Sequence, residues 1–402
     1  LWRAAHLPAN QLTLKAPTAN IEPVAAGVTD KAGAVRRRLP SEETMKIREL
    51  PSFVRERIAT GTVIPAIPLA LDANRKFDER HQRALIRYYI DAGAGGLAVG
   101  VHTTQFEIRD PAHGLFKPVL TAISRMIDEH AAARARPVVK IGGVCGRTDQ
   151  ALTEAEFLVD QGYHAGLLSL AAMKTDSIAA LIEHARRVSE IIPLIGFYLQ
   201  PDVGGRILPY EFWREFARID NVLAIKMAPF NRYRTIDVVR AVCDAGREKE
   251  IALYTGNDDN IVVDLLTEFR IVASDGVEKR VRIVGGLLGQ WCLWTKKAVE
   301  LHRELRHLSL AEDPVPPAML TLAQELTDAN AAVFDAANGF AGCIPGIHEV
   351  LRRQGLLAGT WCLNPAEVLS PSQSGEIDRV CRSYPHLVDD DFVRANLAKW
   401  LS

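Results

Sequence analysis

The residue with the most reactive potential is a lysine set inside a short apolar run, Asn221-Val-Leu-Ala-Ile-Lys226-Met227. Such a lysine either reaches solvent from the end of a strand or stays among apolar neighbours. In the second case burial lowers its pKa from the ordinary value of about 10.4 and frees a neutral amine. A neutral amine attacks a ketone to form an imine, and the protonated imine draws electrons from the adjoining bond. That chemistry needs a proton shuttle, which the phenol of Tyr198 offers 28 residues upstream. A 2-oxo acid also needs donors for its carboxylate. The hydroxyls of Thr103 and Thr104, with nearby backbone N–H groups, are the candidates. His102 precedes them as a second relay or as a histidine satisfied by backbone. Gly256 opens the Gly256-Asn257-Asp258-Asp259 turn, whose aspartates read first as helix caps.

These residues need a scaffold, and the surrounding pattern supplies one. From residue 61 apolar strand-like runs alternate with helical periodicity: strands over 62–71, 96–101, 137–141, 164–170, 193–199, 221–227, 250–255 and 281–286. Helices fall between them, including 78–92, 115–133, 148–161, 176–191, 209–219, 235–245 and 260–269, with one more over 290–308. Near-continuous apolar strands alternating with helices predict a parallel sheet covered by helices. Eight units in about 250 residues predict a closed (β/α)8 TIM barrel, an α/β fold with a C-terminal helical extension. No GxGxxG follows the first strand, which counts against a dinucleotide fold. In a barrel, catalysis belongs at the carboxyl ends of the strands. His102, Thr103 and Thr104 follow strand two, Tyr198 ends strand five, Lys226 strand six and Gly256 strand seven. Lys226 and Tyr198 are thus expected in one mouth.

The expected organisation is an N-terminal extension over 1–58, partly disordered, then the barrel over 59–310 and a helical region over 311–402. Residues 1–44 lack periodicity and end near the basic run Arg36-Arg37-Arg38. Met45 is a possible natural start. Asp275-Gly276 between alternating runs signals an inserted β-hairpin, or an elongated approach to strand eight, near 271–283. After Pro314-Val-Pro-Pro317 the pattern is helical only, over 318–337, 346–354, 376–382 and 391–401, a piece expected beside the barrel or at an oligomer interface. The 402 residues carry 48 Lys+Arg against 49 Asp+Glu, a net charge of −1, so charge gives no case for nucleic acid or an anionic membrane. No apolar run reaches the roughly 18 residues of a spanning helix. Six cysteines without CxxC spacing argue against a zinc cluster or a disulfide framework and fit a reducing, cytoplasmic setting. Cys145 reads as a buried thiol, Trp291 and Trp294 as packing anchors. Arg232 and Arg234 read as loop charges or as contacts for an anionic group.

Over roughly residues 60–300 the sequence resembles the class I, Schiff-base-forming lyases and aldolases typified by dihydrodipicolinate synthase and N-acetylneuraminate lyase. Tyr198-Leu-Gln-Pro201 stands for that family's Tyr-Asn-x-Pro, and Ala224-Ile225-Lys226 for its Gly-[Ile/Val]-Lys, at the family's Tyr-to-Lys interval. Gly100 and Thr103 match its loop after strand two loosely, and Gly256-Asn257-Asp258 its turn after strand seven. The resemblance implies Lys226 as the Schiff-base lysine, Tyr198 as the proton relay and Thr103 as a carboxylate ligand. It also implies a homodimer or homotetramer and no cofactor beyond the covalent lysine imine with substrate. Several positions depart from the family. His102 and Gln105 replace a threonine and a glutamate, Ala171-Ala172-Met173 replaces an aromatic pair, and Arg206 is displaced. These departures count against the lysine-biosynthetic synthase reaction while leaving imine chemistry intact. The expectation is a lyase or aldolase acting on pyruvate or a related 2-oxo acid through Lys226, with no metal. The alternatives are a 2-keto-3-deoxy sugar-acid dehydratase using the same imine, and an inactive barrel that binds a metabolite or partner.

Overall fold

The computed structural model describes residues 44–311 and 314–402. The loosely ordered extension expected over the first 44 residues falls almost entirely outside them. The first described α-helix, α1 (Ser52–Thr60), falls mostly within the N-terminal extension expected over 1–58, yet it packs on the barrel. Its Val54 and Ile58 are buried among side chains of the barrel interior, and the Tyr254 hydroxyl donates to the Ile58 carbonyl at 2.9 Å. Asn221, at the start of strand six, accepts the Ile47 N–H at 2.9 Å, so this segment closes the amino ends of the strands.

The barrel strands are β1 (Val63–Pro65), β2 (Gly96–Val99), β3 (Val139–Val144), β4 (Ala165–Leu168), β5 (Leu194–Leu199), β6 (Val222–Ala228) and β7 (Ala252–Thr255). A short β8 (Glu268–Val272) precedes the last of them, β9 (Glu278–Leu288). The parallel order is β1-β9-β7-β6-β5-β4-β3-β2, and an Ala66–Ala98 bridge joins first to second strand and closes the ring. This is the expected eight-stranded parallel barrel. Its strands are apolar throughout because both faces are buried. Inward residues such as Ile64, Ile141, Leu167 and Ile195 fill the barrel, while outward ones such as Leu97, Leu168 and Ile225 pack under the helices.

The covering helices are α2 (Glu79–Ala92), α3 (Phe116–Ala133), α4 (Thr148–Asp160), α5 (Ile178–Ser189), α6 (Tyr210–Ala217), α7 (Arg232–Asp244), α8 (Ile261–Leu266) and α9 (Thr295–Ala311). Two differ from expectation. α8 ends at Leu266 rather than Phe269, because the Thr267 hydroxyl turns back onto the Val263 carbonyl at 2.6 Å and the chain enters β8. Phe269 and Ile271 then pack inward while Arg270 and Val272 are exposed, the two-residue period of a strand. β8 pairs antiparallel with β9, so both expectations for this stretch hold at once: a hairpin whose second strand runs on as strand eight. The helix expected from Gln290 begins instead at Thr295, after a 3-10 turn over Gln290–Cys292.

The C-terminal region forms α10 (Ala318–Val333), α11 (Cys343–Arg353), α12 (Gln373–Ser383) and α13 (Asp390–Trp400). α13 packs beside the barrel on α2, where Trp400 Nε1 donates to Asp91 at 2.8 Å. α10 and α11 do something the sequence reading did not foresee: they lean across the carboxyl ends of the strands, where Asn330 donates to the Asp258 carbonyl at 2.6 Å. Among the described residues no helix is long and apolar enough to cross a membrane.

Candidate active site

Lys226 lies one turn of the pleat from the carboxyl end of β6, pointing inward and 8% exposed. Its neighbours on the strand alternate as the pleat requires: Ile225 and Met227 face the helices, Ala228 the interior. The lysine stem fits because the next strand is followed directly by Gly256. A Cβ there stands 2.6 Å from Lys226 Cε and 2.8 Å from Ala228 Cβ, so only glycine leaves room. The ammonium lies over the Phe197 ring, 4.4 Å from its centroid. Burial lowers the Lys226 pKa to about 8, against the opposing pull of the Asp258 charge.

Tyr198 does not share this mouth. β5 and β6 start in a register that pairs Leu194 with Val222, an offset of 28, which if continued sets Tyr198 opposite Lys226. An extra residue, Leu223, bulges in β6, and beyond it Phe197 pairs with Lys226 and Tyr198 with Met227. A one-residue slip reverses which side chains face inward. Tyr198 therefore lies under α6, its ring 5.3 Å from Trp213, and its hydroxyl accepts the Leu208 N–H at 3.2 Å. The expectation that it meets Lys226 is corrected: Phe197, a side chain with no proton to give, holds that position.

The threonines are present but engaged. Thr103 Oγ1 donates to the Ala66 carbonyl at 2.7 Å, and Thr104 Oγ1 to the Ile67 carbonyl at 2.7 Å while accepting the Gly100 N–H at 3.0 Å. Each hydroxyl has one proton, so neither donates to a carboxylate without giving up its hold on the end of β1. Thr103 still lines the pocket beside His102. His102 opens a 3-10 turn, half-buried, its pKa lowered to about 4 by burial and by the charge of Lys226. It is neutral at pH 7, and it borders Lys226 rather than Tyr198, so a relay through Tyr198 is excluded by position.

Asp258, in the sequence a candidate helix cap, does not cap α8. The residue preceding α8 is Asn260, and the Asp258 carboxylate instead accepts the Gln290 N–H at 3.1 Å and borders the pocket with Lys226. Burial raises its pKa to about 7, with the Gln290 N–H and the Lys226 charge opposing. An acid holding its proton near neutrality beside an amine losing its own is a suitable pair for proton transfer.

Three arginines of the barrel, Arg206, Arg109 and Arg232, are committed to partners of their own. Arg206 donates to the Met173 and Asp176 carbonyls at 2.6 and 3.1 Å, and Arg109 to Gly100, Gly143 and the Glu154 carboxylate at 3.0–3.1 Å. Arg232 pairs with buried Asp264, which also receives Thr255 and Asn257. This network fixes the turn after β7. Cys145 is only partly buried, but desolvation raises its thiol pKa to about 11, so it has no thiolate near neutral pH. Trp291 and Trp294 are buried in the core. Among the described residues no cluster of His, Cys, Asp and Glu could hold a metal.

The remaining wall was missed from sequence. Phe334, Phe340, Cys343 and Ile347, from α10 to α11, complete a pocket of about 70 Å³ with Leu199, Gln200, Val203 and Phe230 of the barrel loops. Burial holds the Cys343 thiol far above its ordinary pKa, so it is a wall group and not a nucleophile. Nothing in the helical periodicity of the C-terminal region marks it as a lid. The one sequence signal is the stretch Phe334-Asp-Ala-Ala-Asn-Gly-Phe340, aromatic at both ends and glycine-bearing between two helices.

The dihydrodipicolinate synthetase family model matches residues 59–275. Solved structures with the same fold include YagE, a prophage protein of the dihydrodipicolinic acid synthase family from E. coli K12, in complex with pyruvate, at 18% identity and TM-score 0.63, covering 81% of this chain and 98% of that one. Another is CdNal from Clostridium difficile in complex with mannosamine, at 16% identity and TM-score 0.61, covering 81% and 99%. A third is dihydrodipicolinate synthase from Acinetobacter baumannii, at 18% and TM-score 0.63, with the same 81% and 99%. No curated protein matches. The family match spans more than half the chain and takes in both the barrel strand that carries Lys226 and the turn that carries Asp258, and the chain belongs to the dihydrodipicolinate synthetase family.

Proposed function

We propose that this protein is a class I lyase or aldolase that forms an imine between Lys226 and a 2-oxo acid such as pyruvate. The observation that carries the reading is the buried Lys226 amine, desolvated over Phe197 and facing the same pocket as the Asp258 carboxyl. The pyruvate complex of YagE supports pyruvate as the first ligand to try.

In this reading the Lys226 amine attacks the C2 carbonyl and the carbonyl oxygen leaves as water. The protonated imine then takes the electron pair of a bond at C3, giving an enamine. Asp258 handles the proton that Tyr198 does not reach. Its carboxylate removes a proton from the substrate hydroxyl as the C–C bond breaks, and its acid form returns one in the reverse direction. Phe197 keeps water from the lysine, which favours the neutral amine. The Gln200 amide, the His102 ring and the backbone N–H groups of His102 and Thr103 are the polar groups left for the carboxylate, since the Thr104 N–H donates to the Val101 carbonyl at 3.0 Å.

The test is trapping. Incubation with pyruvate and borohydride should add a reduced pyruvyl group to Lys226, read by peptide mass spectrometry. Lys226→Ala should show none. Absence of an adduct on the wild-type protein across a panel of 2-oxo acids ends this reading.

A further inference from the structure

We infer that the substrate fragment beyond the reacting carbons is apolar and of aryl size: the physiological reaction joins or separates pyruvate and an aromatic or bulky alkyl aldehyde. The inference rests on the imine reading and adds to it the identity of the second fragment.

The pocket wall carries it. Phe197, Phe230, Phe334 and Phe340 line the space in front of Lys226, with Leu199 and Ile347 beside them. Two of these rings are held there at a backbone cost. Phe230 has φ +49 and Phe340 φ +68, a region that non-glycine residues rarely occupy. Phe230 is fixed in it by the Asn257 side chain, which accepts its N–H at 3.1 Å. The two rings meet edge to face at 6.0 Å, one from the barrel and one from the C-terminal region. Strained backbone that aims aromatic rings into a pocket marks the rings as part of its purpose.

The polar side of the count agrees. A sugar-acid chain presents several hydroxyls, and each loses its hydration on entry and needs a partner. The groups best placed to provide partners are spent: the Thr103 and Thr104 hydroxyls on β1 carbonyls, Arg206 on the Met173 and Asp176 carbonyls. The dehydratase alternative for hydroxylated sugar acids therefore fits this wall poorly.

In the cleavage direction, a 4-aryl-4-hydroxy-2-oxobutanoate condenses with Lys226 and releases water. Asp258 takes the C4 hydroxyl proton, the C3–C4 bond breaks, and the aryl aldehyde departs with its electrons left in the enamine. Protonation at C3 and hydrolysis of the imine return the water, release pyruvate and regenerate the lysine.

The experiment uses the full chain with pyruvate and two aldehydes, benzaldehyde and glyceraldehyde, with aldol product followed by NMR. The expected result is kcat/KM about 100-fold higher for benzaldehyde, the scale on which a few unmatched hydroxyls are rejected. In Phe340→Asn, which tolerates positive φ and makes the wall polar, that ratio should fall about tenfold; Phe340→Leu, which keeps the wall apolar, should preserve most of it. Equal use of the two aldehydes, or preference for glyceraldehyde, overturns the inference while a pyruvate adduct on Lys226 leaves the imine reading standing. Loss of the adduct as well overturns both. A benzaldehyde preference unchanged in Phe340→Asn assigns the selectivity elsewhere and also overturns the role given to this wall.

Discussion

Lys226 and Phe197 face each other across β6 and β5, with the lysine nitrogen 4.4 Å from the ring centroid. The bulge at Leu223 creates this pairing and turns Tyr198 outward. The consequence is testable by exchange. Tyr198→Phe should leave the rate of pyruvate trapping within about twofold, because the phenol lies outside the pocket. It should cost about 1 kcal/mol of stability in urea unfolding, because the Leu208 N–H loses its buried acceptor. A hundredfold loss of aldol turnover with unchanged stability contradicts the outward placement.

The ionisation of Lys226 sets the pH response. Burial disfavours the ammonium, so the neutral amine appears as pH rises through about 8, well below the ordinary lysine range. The initial rate of imine trapping should rise with pH around that value and level off above it. Asp258 acts in the opposite direction, since its negative charge favours the ammonium. Asp258→Asn removes that charge, so the midpoint of the trapping profile should move to lower pH. The same variant should lose aldol turnover by about 10²–10⁴-fold, the usual worth of a positioned acid–base group. A midpoint that moves upward contradicts the proposed pairing of the two groups.

Much of this was legible in the sequence, and the limits have identifiable causes. Strand–helix alternation yields the barrel, and barrel position alone brings Lys226, Thr103 and Gly256 to one mouth. The orientation of Tyr198 was not legible. A strand period of two is readable, but a bulge of one residue within an apolar run such as Val222-Leu-Ala-Ile225 leaves no mark in composition. Asp258 was visible at the right strand end, yet an aspartate before a helix suits a cap equally well; only its contact with the Gln290 N–H decides. The lid formed by Phe334 and Phe340 is a contact between segments about 100 residues apart from the lysine, and helix periodicity carries no information on which neighbour a helix meets.

Gly256 tests how tightly the lysine is placed. Gly256→Ala puts a methyl group 2.6 Å from Lys226 Cε and 2.8 Å from Ala228 Cβ. The lysine stem can bend away but Ala228 cannot, so the strands must part slightly, at about 1–3 kcal/mol. The protein should still fold, with a lower urea midpoint, while trapping by pyruvate falls at least tenfold because the displaced amine no longer lies over Phe197. Unchanged trapping means that the lysine is less constrained than the packing indicates.

Asp335 is the residue on which the aromatic lid depends. It sits at φ +59, buried, directly after Phe334 and five residues before Phe340. Its carboxylate accepts the Gly342 N–H at 3.0 Å, the Asn338 amide at 2.6 Å and the Ser370 hydroxyl, which ties the α10–α11 loop to the segment before α12. Asp335→Ala leaves the buried Gly342 N–H without an acceptor and places a residue with no local hydrogen bond in a left-handed conformation. Together these cost roughly 2–4 kcal/mol. The barrel core lies elsewhere, so the loss should be local: the loop should exchange its amide hydrogens faster while the β-strand amides stay protected. Once the loop is loosened, Phe334 and Phe340 no longer hold the second substrate fragment. The KM for an aryl aldehyde should therefore rise about tenfold or more, with a smaller effect on pyruvate trapping, because Lys226 lies on β6 and Asp258 in the turn that follows β7. Equal loss of both readouts means that the C-terminal segment supports the lysine site itself rather than covering it.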